Sequence, residues 1–405
     1  MKKIIFVAPY FMEATERFID ATTQVPDAQV GLVSCDPLCK LSPELQDRLA
    51  AHYAVKDTSR SELLRGVEAI GSQFGGIDRI MGMLEQIQVP LGEIRDHLGV
   101  PGMGAQAANN FRDKSVMKSV LRESGLPCAK HALTGSLESA LQFAEACGFP
   151  VIIKPPDGAG AKGTFRCENA NQLTECWEHL NPGPKNPVVL EEFIVGKEYS
   201  FDSICLKGQL IWSSISHYLP GPLEVVREPW IQWCVMIPRE YDLPHYEPVR
   251  IFAQAALAAL GMETGLSHME WFLRPDGSVA ISEVGARPPG AQITSLISYA
   301  HDFDLYRAWA EAVIHEHFQI PKRKYAVGAA YLRGMGQGRV AQVQGLEEIT
   351  QTLGDIVVEA KIPQPGQTPS GSYEGEGYII VRHPETNVVD EALKKIVNTV
   401  RVSLH

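Results

Sequence analysis

Four short segments in the middle of the chain carry side chains that suit a magnesium nucleotide. A lysine followed by a Gly-rich loop can surround phosphates through backbone N–H groups and one cation. Glutamates on neighbouring strands can hold Mg²⁺ together with substrate phosphates. An arginine four residues after the last glutamate can face the charge that develops in phosphoryl transfer. The segments are VIIKPPDGAGAKGT (151–164), VVLEEFIVGKE (188–198), SHMEWF (267–272) and ISEVGARPPG (281–290). Their order and spacing predict one site for phosphoryl transfer.

The Gly-rich loop satisfies the pattern GxGxxG at residues 158–163. The strand-like sequence TFRC follows it, so the helix N-terminus of a dinucleotide site is missing. The loop also lacks the Gly-Lys-Ser/Thr ending of a phosphate-binding P-loop. Two interpretations stay open: a lid over phosphates that carries Lys162, or an ordinary surface hairpin.

A predicted hairpin brings the glutamates together. Period-two alternation puts His268, Glu270 and Phe272 on one face of a strand. The turn at residues 274–277 (Arg-Pro-Asp-Gly) then returns the chain as a second strand that carries Glu283. Cross-strand and diagonal neighbours lie roughly 5 to 8 Å apart. That separation suits two carboxylates that share Mg²⁺.

These segments resemble the ATP-grasp ligases. The resemblance rests on Lys114 in NNFRDKSVMK, Lys154 before the Gly-rich loop, EEF-I-x-G-x-E, HxE and ExxxR, and it runs from about Asn109 to Arg287. The sequence ARPPGAQI followed by DFDLYRAWAEAVI looks most like the carboxylate-amine ligases that join L-amino acids. Many family members have Asn two residues after the second glutamate, where this chain has Gly285, so the number of bound metals stays open.

The resemblance implies a role for each matching residue. Lys114 and Lys154 would neutralise the α- and β-phosphates, and Glu198 would bind the ribose hydroxyls. Glu191 and the backbone of Glu192 and Ile194 would bind the adenine base. The predicted nucleotide-binding set is Lys114, Lys154, Gly158, Gly160, Lys162, Gly163, Glu191, Glu192, Phe193, Ile194, Glu198 and Phe272. The predicted catalytic residues are Arg287, Lys162 and His268, and the predicted metal ligands are Glu270 and Glu283.

Each assignment has a structural alternative. A lone lysine is often a surface residue or half of an ion pair, and Arg287 could form a bidentate pair with a carboxylate. A single strand histidine such as His268 is often structural. Consecutive glutamates at a strand end are usually solvated.

Composition limits the function classes. The 405 residues carry a net charge of −11, which argues against nucleic-acid binding because that needs clustered Lys and Arg. Eight scattered cysteines without a CxxC pair indicate a cytoplasmic protein. The opening MKKIIFVAPYF is predicted to be a buried strand, and the apolar run FAQAALAALGM is too short to span a membrane.

The predicted fold is α/β, an ATP-grasp fold with flanking domains. Residues 1–108 alternate strands and helices as in a Rossmann-like domain, without its Gly-rich fingerprint. Residues 109–320 form the ATP-grasp domain, with a lid at about 127–195, and residues 321–405 form a small α+β domain. The segment 217–240, rich in Pro and Gly, is predicted to be a substrate-facing loop.

The leading hypothesis is an ADP-forming ligase that uses ATP and Mg²⁺, with Mn²⁺ as a substitute. It would activate a carboxylate, expected to be an amino acid's, as an acyl phosphate and join it to an amine. One alternative keeps the fold but transfers formyl or carboxyl groups in nucleotide or one-carbon metabolism. Another is a nucleotide-binding regulator without turnover. No nucleic-acid or membrane partner is expected, and a homodimer is common in the group that the chain resembles.

Overall fold

The first lobe of the computed structural model is a parallel sheet flanked by helices. The structure describes residues 1–158, 163–228, 230–372 and 374–405. Strands in the first lobe pair in the order β3-β2-β1-β4, all parallel. The predicted alternation of strands and helices is therefore confirmed, and β1 is fully buried from Ile4 to Val7. The elements are β1 (Lys2–Val7), α1 (Glu13–Thr23), β2 (Ala28–Ser34), α2 (Pro43–Arg48), β3 (Ala51–Ala54), α3 (Arg60–Phe74), β4 (Arg79–Met81) and α4 (Gln88–Leu98).

The second lobe contains a small antiparallel sheet in the order β5-β8-β6-β7. Asp113 begins α6 by accepting hydrogen bonds from the backbone N–H groups of Ser115 and Val116. This cap fixes the first helical residue, Lys114. The elements are α5 (Ala105–Arg112), α6 (Lys114–Glu123), β5 (His131–Thr134), α7 (Leu137–Cys147), β6 (Val151–Lys154), β7 (Phe165–Cys167), α8 (Ala170–Leu180) and β8 (Val188–Glu192).

A large sheet connects the rest of the chain, in the order β13-β12-β9-β10-β11-β14-β18-β17. It runs without a break across the predicted domain boundary at residue 321, because β11 pairs with β14. A small sheet, β15-β19-β16, completes the C-terminal part. The elements are β9 (Lys197–Leu206), β10 (Gln209–Leu219), α9 (Pro222–Arg227), β11 (Cys234–Ile237), α10 (Glu247–Leu260), β12 (Gly265–Leu273), β13 (Val279–Gly285), α11 (Ile293–His301), α12 (Leu305–His315), β14 (Ala326–Leu332), β15 (Gly334–Gly336), β16 (Val340–Gln344), α13 (Leu346–Leu353), β17 (Val357–Lys361), β18 (Gly377–His383), α14 (Thr386–Thr399) and β19 (Arg401–Leu404).

The segment 217–240 is more regular than the sequence predicted. It contains the end of β10, the helix α9 and the strand β11. All four residues of β11 are buried, and the strand pairs with β10 and β14 on its two edges. The prediction of one long loop was therefore wrong, because an apolar tetrapeptide between two strands completes the sheet despite the nearby prolines. Among the described residues, no helix combines the length and the apolar character that crossing a membrane requires.

Candidate active site

Two lysines reach the centre of the site from separate elements. Lys114 begins α6, and Lys154 ends β6. Both are buried, with relative exposures of 5% and 8%. The Nζ of Lys114 donates to the carbonyl oxygen of Gly158 at 2.6 Å and lies 3.0 Å from Oε1 of Glu283. The cations are thus held at fixed positions, as phosphate recognition requires.

Glu191 pairs with two lysines. Its Oε1 lies 2.9 Å from Nζ of Lys154 and 3.3 Å from Nζ of Lys118. Burial opposes ionisation of Glu191, but the two cations hold its pKa below the ordinary value. The predicted contact between the Glu191 side chain and the adenine base stays a prediction. The sequence analysis missed Lys118, although it follows Lys114 by four residues and so lies on the same helix face.

The segment after β8 forms one wall of an apolar recess. Phe272 packs against a small buried cluster formed by Ala129, Ile194 and Ala280. The guanidinium of Arg166 lies 4.1 Å from the ring centroid of Phe193, a cation–π contact. An aromatic ring and aliphatic side chains of this kind suit the faces of a planar heterocycle.

Two acids, Glu192 and Glu198, flank this apolar recess. Burial, together with the nearby carboxylate of Glu270, raises the pKa of Glu198 well above its usual range. Glu192 lies 3.6 Å from a guanidinium nitrogen of Arg274. Glu198 is therefore suited to share a hydrogen bond with a hydroxyl group, because burial and the Glu270 carboxylate oppose its ionisation.

Glu270 and Glu283 face each other across the hairpin of β12 and β13, where they are paired residues. The predicted proximity of the two glutamates is confirmed. Burial opposes ionisation of Glu283, but Lys114 and Lys154 hold its pKa below the usual value. Among the described residues, no group of three or more potential metal-binding side chains is present. Two carboxylates nevertheless fit Mg²⁺, which commonly takes one or two carboxylates together with water and phosphate oxygens.

His268 lies in a polar cluster next to Glu270. Its Nδ1 is 2.7 Å from Oδ1 of Asp202, and its Nε2 is 3.3 Å from the hydroxyl of Tyr218 and 3.7 Å from Glu270. Burial disfavours the imidazolium, but the Asp202 carboxylate raises the pKa of His268 to about 9. Asp202 itself is fully buried and accepts a hydrogen bond from Ser200 at 2.9 Å. The sequence analysis missed Asp202, which sits on the neighbouring strand β9.

Arg287 is held by the first lobe. Its Nε donates to the carboxylate of Glu85, which follows β4. Gly285 borders this pair: a Cβ at that position would lie 3.8 Å from both Glu85 Oε2 and Arg287 Cγ. The Glu85–Arg287 pair therefore lies beside the position where many family members carry an asparagine.

One continuous cavity of about 720 Å³ is lined by these groups and by residues from both flanking regions. We use "second chamber" for the part that is lined by Met12, Glu13, Ile293, Lys361 and Glu374. Its walls thus come from the first lobe, the segment after β13 and the C-terminal part.

The cavity brings together most of the predicted site residues. Those that line it are Lys114, Lys154, Gly158, Glu191, Glu192, Phe193, Ile194, Glu198, His268, Glu270, Phe272, Glu283 and Arg287. Gly163 has φ of +69°, a turn conformation that favours glycine. Gly160 and Lys162 lie outside the described residues.

Residues 119–298 match the ATP-grasp domain family. The chain contains an ATP-grasp domain. It is 25% identical over 376 residues to the uncharacterized protein y4rH of Sinorhizobium fredii, covering 89% of this chain and 76% of that protein. It is 23% identical to an L-arginine-specific L-amino acid ligase of Bacillus subtilis, covering 63% of this chain and 62% of that protein. The predicted family and its ATP-dependent carboxylate-amine ligase branch are thereby confirmed.

The fold is shared with a solved structure. An L-amino acid ligase from Bacillus licheniformis superposes with a TM-score of 0.81 at 17% identity, covering 100% of this ATP-grasp chain and 99% of that chain. The predicted ATP-grasp fold with flanking domains is therefore confirmed. Glu85 of the first lobe and Glu374 of the C-terminal part show that both flanking regions of this ATP-grasp chain line its cavity.

Proposed function

We propose that this chain activates the carboxylate of an amino acid with ATP and joins it to an amine. The observation that carries the proposal is the single cavity in which buried lysines, paired glutamates and Arg287 open into a second chamber. Its volume of about 720 Å³ falls within the range of roughly 300–1,000 Å³ that is usual for small-molecule sites. A nucleotide end and an acceptor end in one cavity are what a ligase needs.

In the first step, a carboxylate oxygen attacks the γ-phosphorus of ATP, and the bond to the β–γ bridging oxygen breaks to release ADP. Lys114 and Lys154 neutralise the phosphates, and Arg287 stabilises charge on the transferred phosphoryl group. Glu270 and Glu283 would hold Mg²⁺, which neutralises phosphate charge when bound. The chain mainly positions the reactants and needs no covalent nucleophile.

In the second step, the amine nitrogen attacks the acyl carbon. The bond between that carbon and the phosphate oxygen breaks, inorganic phosphate leaves, and the nitrogen releases a proton to solvent. Exclusion of water from the cavity in this step would protect the acyl phosphate from hydrolysis. Arg287 remains beside the leaving phosphate in this step.

We propose the remaining nucleotide contacts as well. Phe193, Ile194 and Phe272 would enclose the adenine, and the backbone of Glu192 and Ile194 would hydrogen-bond its edge. Glu198 would accept hydrogen bonds from the ribose hydroxyls, because a carboxylate with a raised pKa gains most from such partners. Gly158, Gly160, Lys162 and Gly163 would cover the phosphates.

We propose a cytoplasmic, homodimeric enzyme whose partners are small molecules. Eight free cysteines support this location, since a secreted protein would pair them. The net charge of −11 favours small molecules over nucleic acid.

The direct test measures ADP release with Mg²⁺ and pools of L-amino acids, with mass spectrometry of the products. We expect ADP formation that depends on amino acid, together with a new amide mass. Glu283→Ala should abolish both, whereas Glu391→Ala, a substitution of a side chain that is 74% exposed, should leave them unchanged. ATP binding without turnover in any pool would instead indicate a nucleotide-binding regulator.

A further inference from the structure

The charges around the second chamber are almost all neutralised within the protein. Glu13 lies 2.8 Å from a guanidinium nitrogen of Arg17 and 2.9 Å from Nζ of Lys361. Glu85 is paired with Arg287. A carboxylate that is already paired has little to gain from binding a cationic substrate group.

Glu374 differs from these acids. It lines the second chamber, and within the described ranges no Lys, Arg or His forms an ion pair with it. Burial raises the pKa of Glu374 above its ordinary value, and the nearby cation Lys361 is engaged with Glu13. A partly buried carboxylate of this kind gains free energy when a cation binds beside it.

Glu374 lies beside a strained turn. The backbone N–H of Ala291 is close enough to the carboxylate of Glu374 to lower its pKa. Ala291 and Gln292 have φ of +52° and +54°, which non-glycine residues rarely adopt. The hydroxyl of Tyr331 donates to the carbonyl oxygen of Ala291 and supports this conformation. Such strain is retained mainly where the surrounding structure needs it, often at functional sites.

The turn also connects Glu374 to the reaction centre. Ala291 follows Arg287 by four residues, and Oε1 of Glu374 would lie 3.9 Å from a Cβ on Gly290. Arg287 and Glu374 also line the same cavity, so one bound molecule could contact both side chains. For an α-amino acid, the group beside the reacting carboxylate is its ammonium.

We propose that Glu374 binds the α-ammonium group of the amino acid that is activated. This inference rests on the proposed function and adds the residue that recognises the amino group of the acyl donor. Pairing with Glu374 keeps that ammonium protonated, so its nitrogen has no lone pair for attack. The bound molecule then acts only as acyl donor, and the amine comes from a second substrate.

The test compares each L-amino acid with the carboxylic acid that lacks its amino group. We expect wild-type ADP formation to favour the amino acids. In Glu374→Gln, kcat/KM for the amino acids should fall about 10- to 100-fold, the effect of losing a charged hydrogen bond. In the same variant, kcat/KM for the acids without an amino group should not change, and neither should the KM for ATP. Glu374→Asp should restore part of the preference.

Glu376→Gln is the matched control. The carboxylate of Glu376 accepts from the backbone N–H groups of Gly334 at 2.5 Å and Ser370 at 3.3 Å, so it supports the same segment. A loss of segment structure should affect both groups of acids equally. If Glu374→Gln lowers kcat/KM equally for both groups of acids, or for neither, the inference is wrong while the proposed function still stands. No turnover of wild-type protein with any pool overturns the proposed function and the inference with it.

Discussion

Arg287 at the end of the β12–β13 hairpin forms an ion pair with Glu85 of the first lobe, 202 residues earlier in the chain. The pair is largely buried, with side-chain exposures of 21% and 14%. The first lobe therefore orients the arginine that we assign to the transferred phosphoryl group. By orienting Arg287, Glu85 would lower the barrier to phosphoryl transfer although it contributes no reacting atom.

Glu85→Gln should lower kcat by about tenfold to a hundredfold, because a misplaced catalytic group costs rate of this size. The KM for ATP should change little, since the lysines that bind the phosphates are untouched. Steady-state kinetics at varied ATP checks this prediction. An unchanged kcat would show that Arg287 does not need Glu85. Glu93→Gln, in the neighbouring helix α4 and 41% exposed, is the control.

Phe272→Ala should raise the KM for ATP about tenfold, the effect of losing about 1.4 kcal/mol of apolar contact with a planar base. Phe272 packs with Ile194 at the apolar recess. The KM for the amino acid should stay constant. Phe252→Ala removes a partly buried ring that packs against another core cluster, so it should alter stability without altering the KM for ATP. An equal increase in the KM for ATP in both variants would contradict the assignment of Phe272 to the adenine site.

The hairpin shows what the sequence can predict at this site. Period-two alternation and the turn at 274–277 correctly predicted the pairing of Glu270 with Glu283. These are local signals, in which spacing alone determines the geometry. Glu85 and Glu374 could not be found in this way, because each reaches the cavity from a different lobe and no local pattern marks it.

The segment 217–240 illustrates the opposite error. Its prolines and glycines favoured the prediction of a loop. The apolar tetrapeptide Cys234–Ile237 nevertheless forms a strand, because β10 and β14 pair with its two edges. Such pairing between distant segments overrides local propensity. The same pairing gives the two tryptophans of this segment different environments. Trp230 is 62% exposed, whereas Trp233 is 1% exposed.

Asp202 and His268 should be coupled energetically. Their 2.7 Å hydrogen bond is part-buried and charge-assisted. A double-mutant cycle with Asp202→Asn and His268→Gln should give a coupling energy of about 1–3 kcal/mol in chemical denaturation. Additive effects of the two substitutions would show that the pair contributes no specific stabilisation.

Glu359 should stabilise the contact between the first lobe and the large sheet. It accepts hydrogen bonds from Arg17 at 2.5 Å, Tyr378 at 2.6 Å and Tyr299 at 2.8 Å. Glu359→Gln should lower the free energy of unfolding at pH 7 by about 1–3 kcal/mol. Denaturation of both proteins in urea measures this difference.

The pH dependence of that difference follows from the pKa of Glu359. Burial opposes ionisation, but the partners hold the pKa below the ordinary value of 4.5. The stabilisation is therefore present above pH 4.5 and is lost as the pH falls through the lowered pKa. The difference between wild type and Glu359→Gln should shrink in acid. A difference that stays constant with pH would contradict this origin.

The central claim is that a carboxylate oxygen attacks ATP, and isotope transfer tests it most directly. Wild-type protein is incubated with Mg²⁺, ATP and L-amino acids that carry ¹⁸O in the carboxylate. The inorganic phosphate is then analysed by mass spectrometry. The account predicts one ¹⁸O atom in each phosphate that accompanies amide formation, because the acyl carbon–oxygen bond breaks in the second step. Amide formation with unlabelled phosphate would contradict an acyl phosphate intermediate.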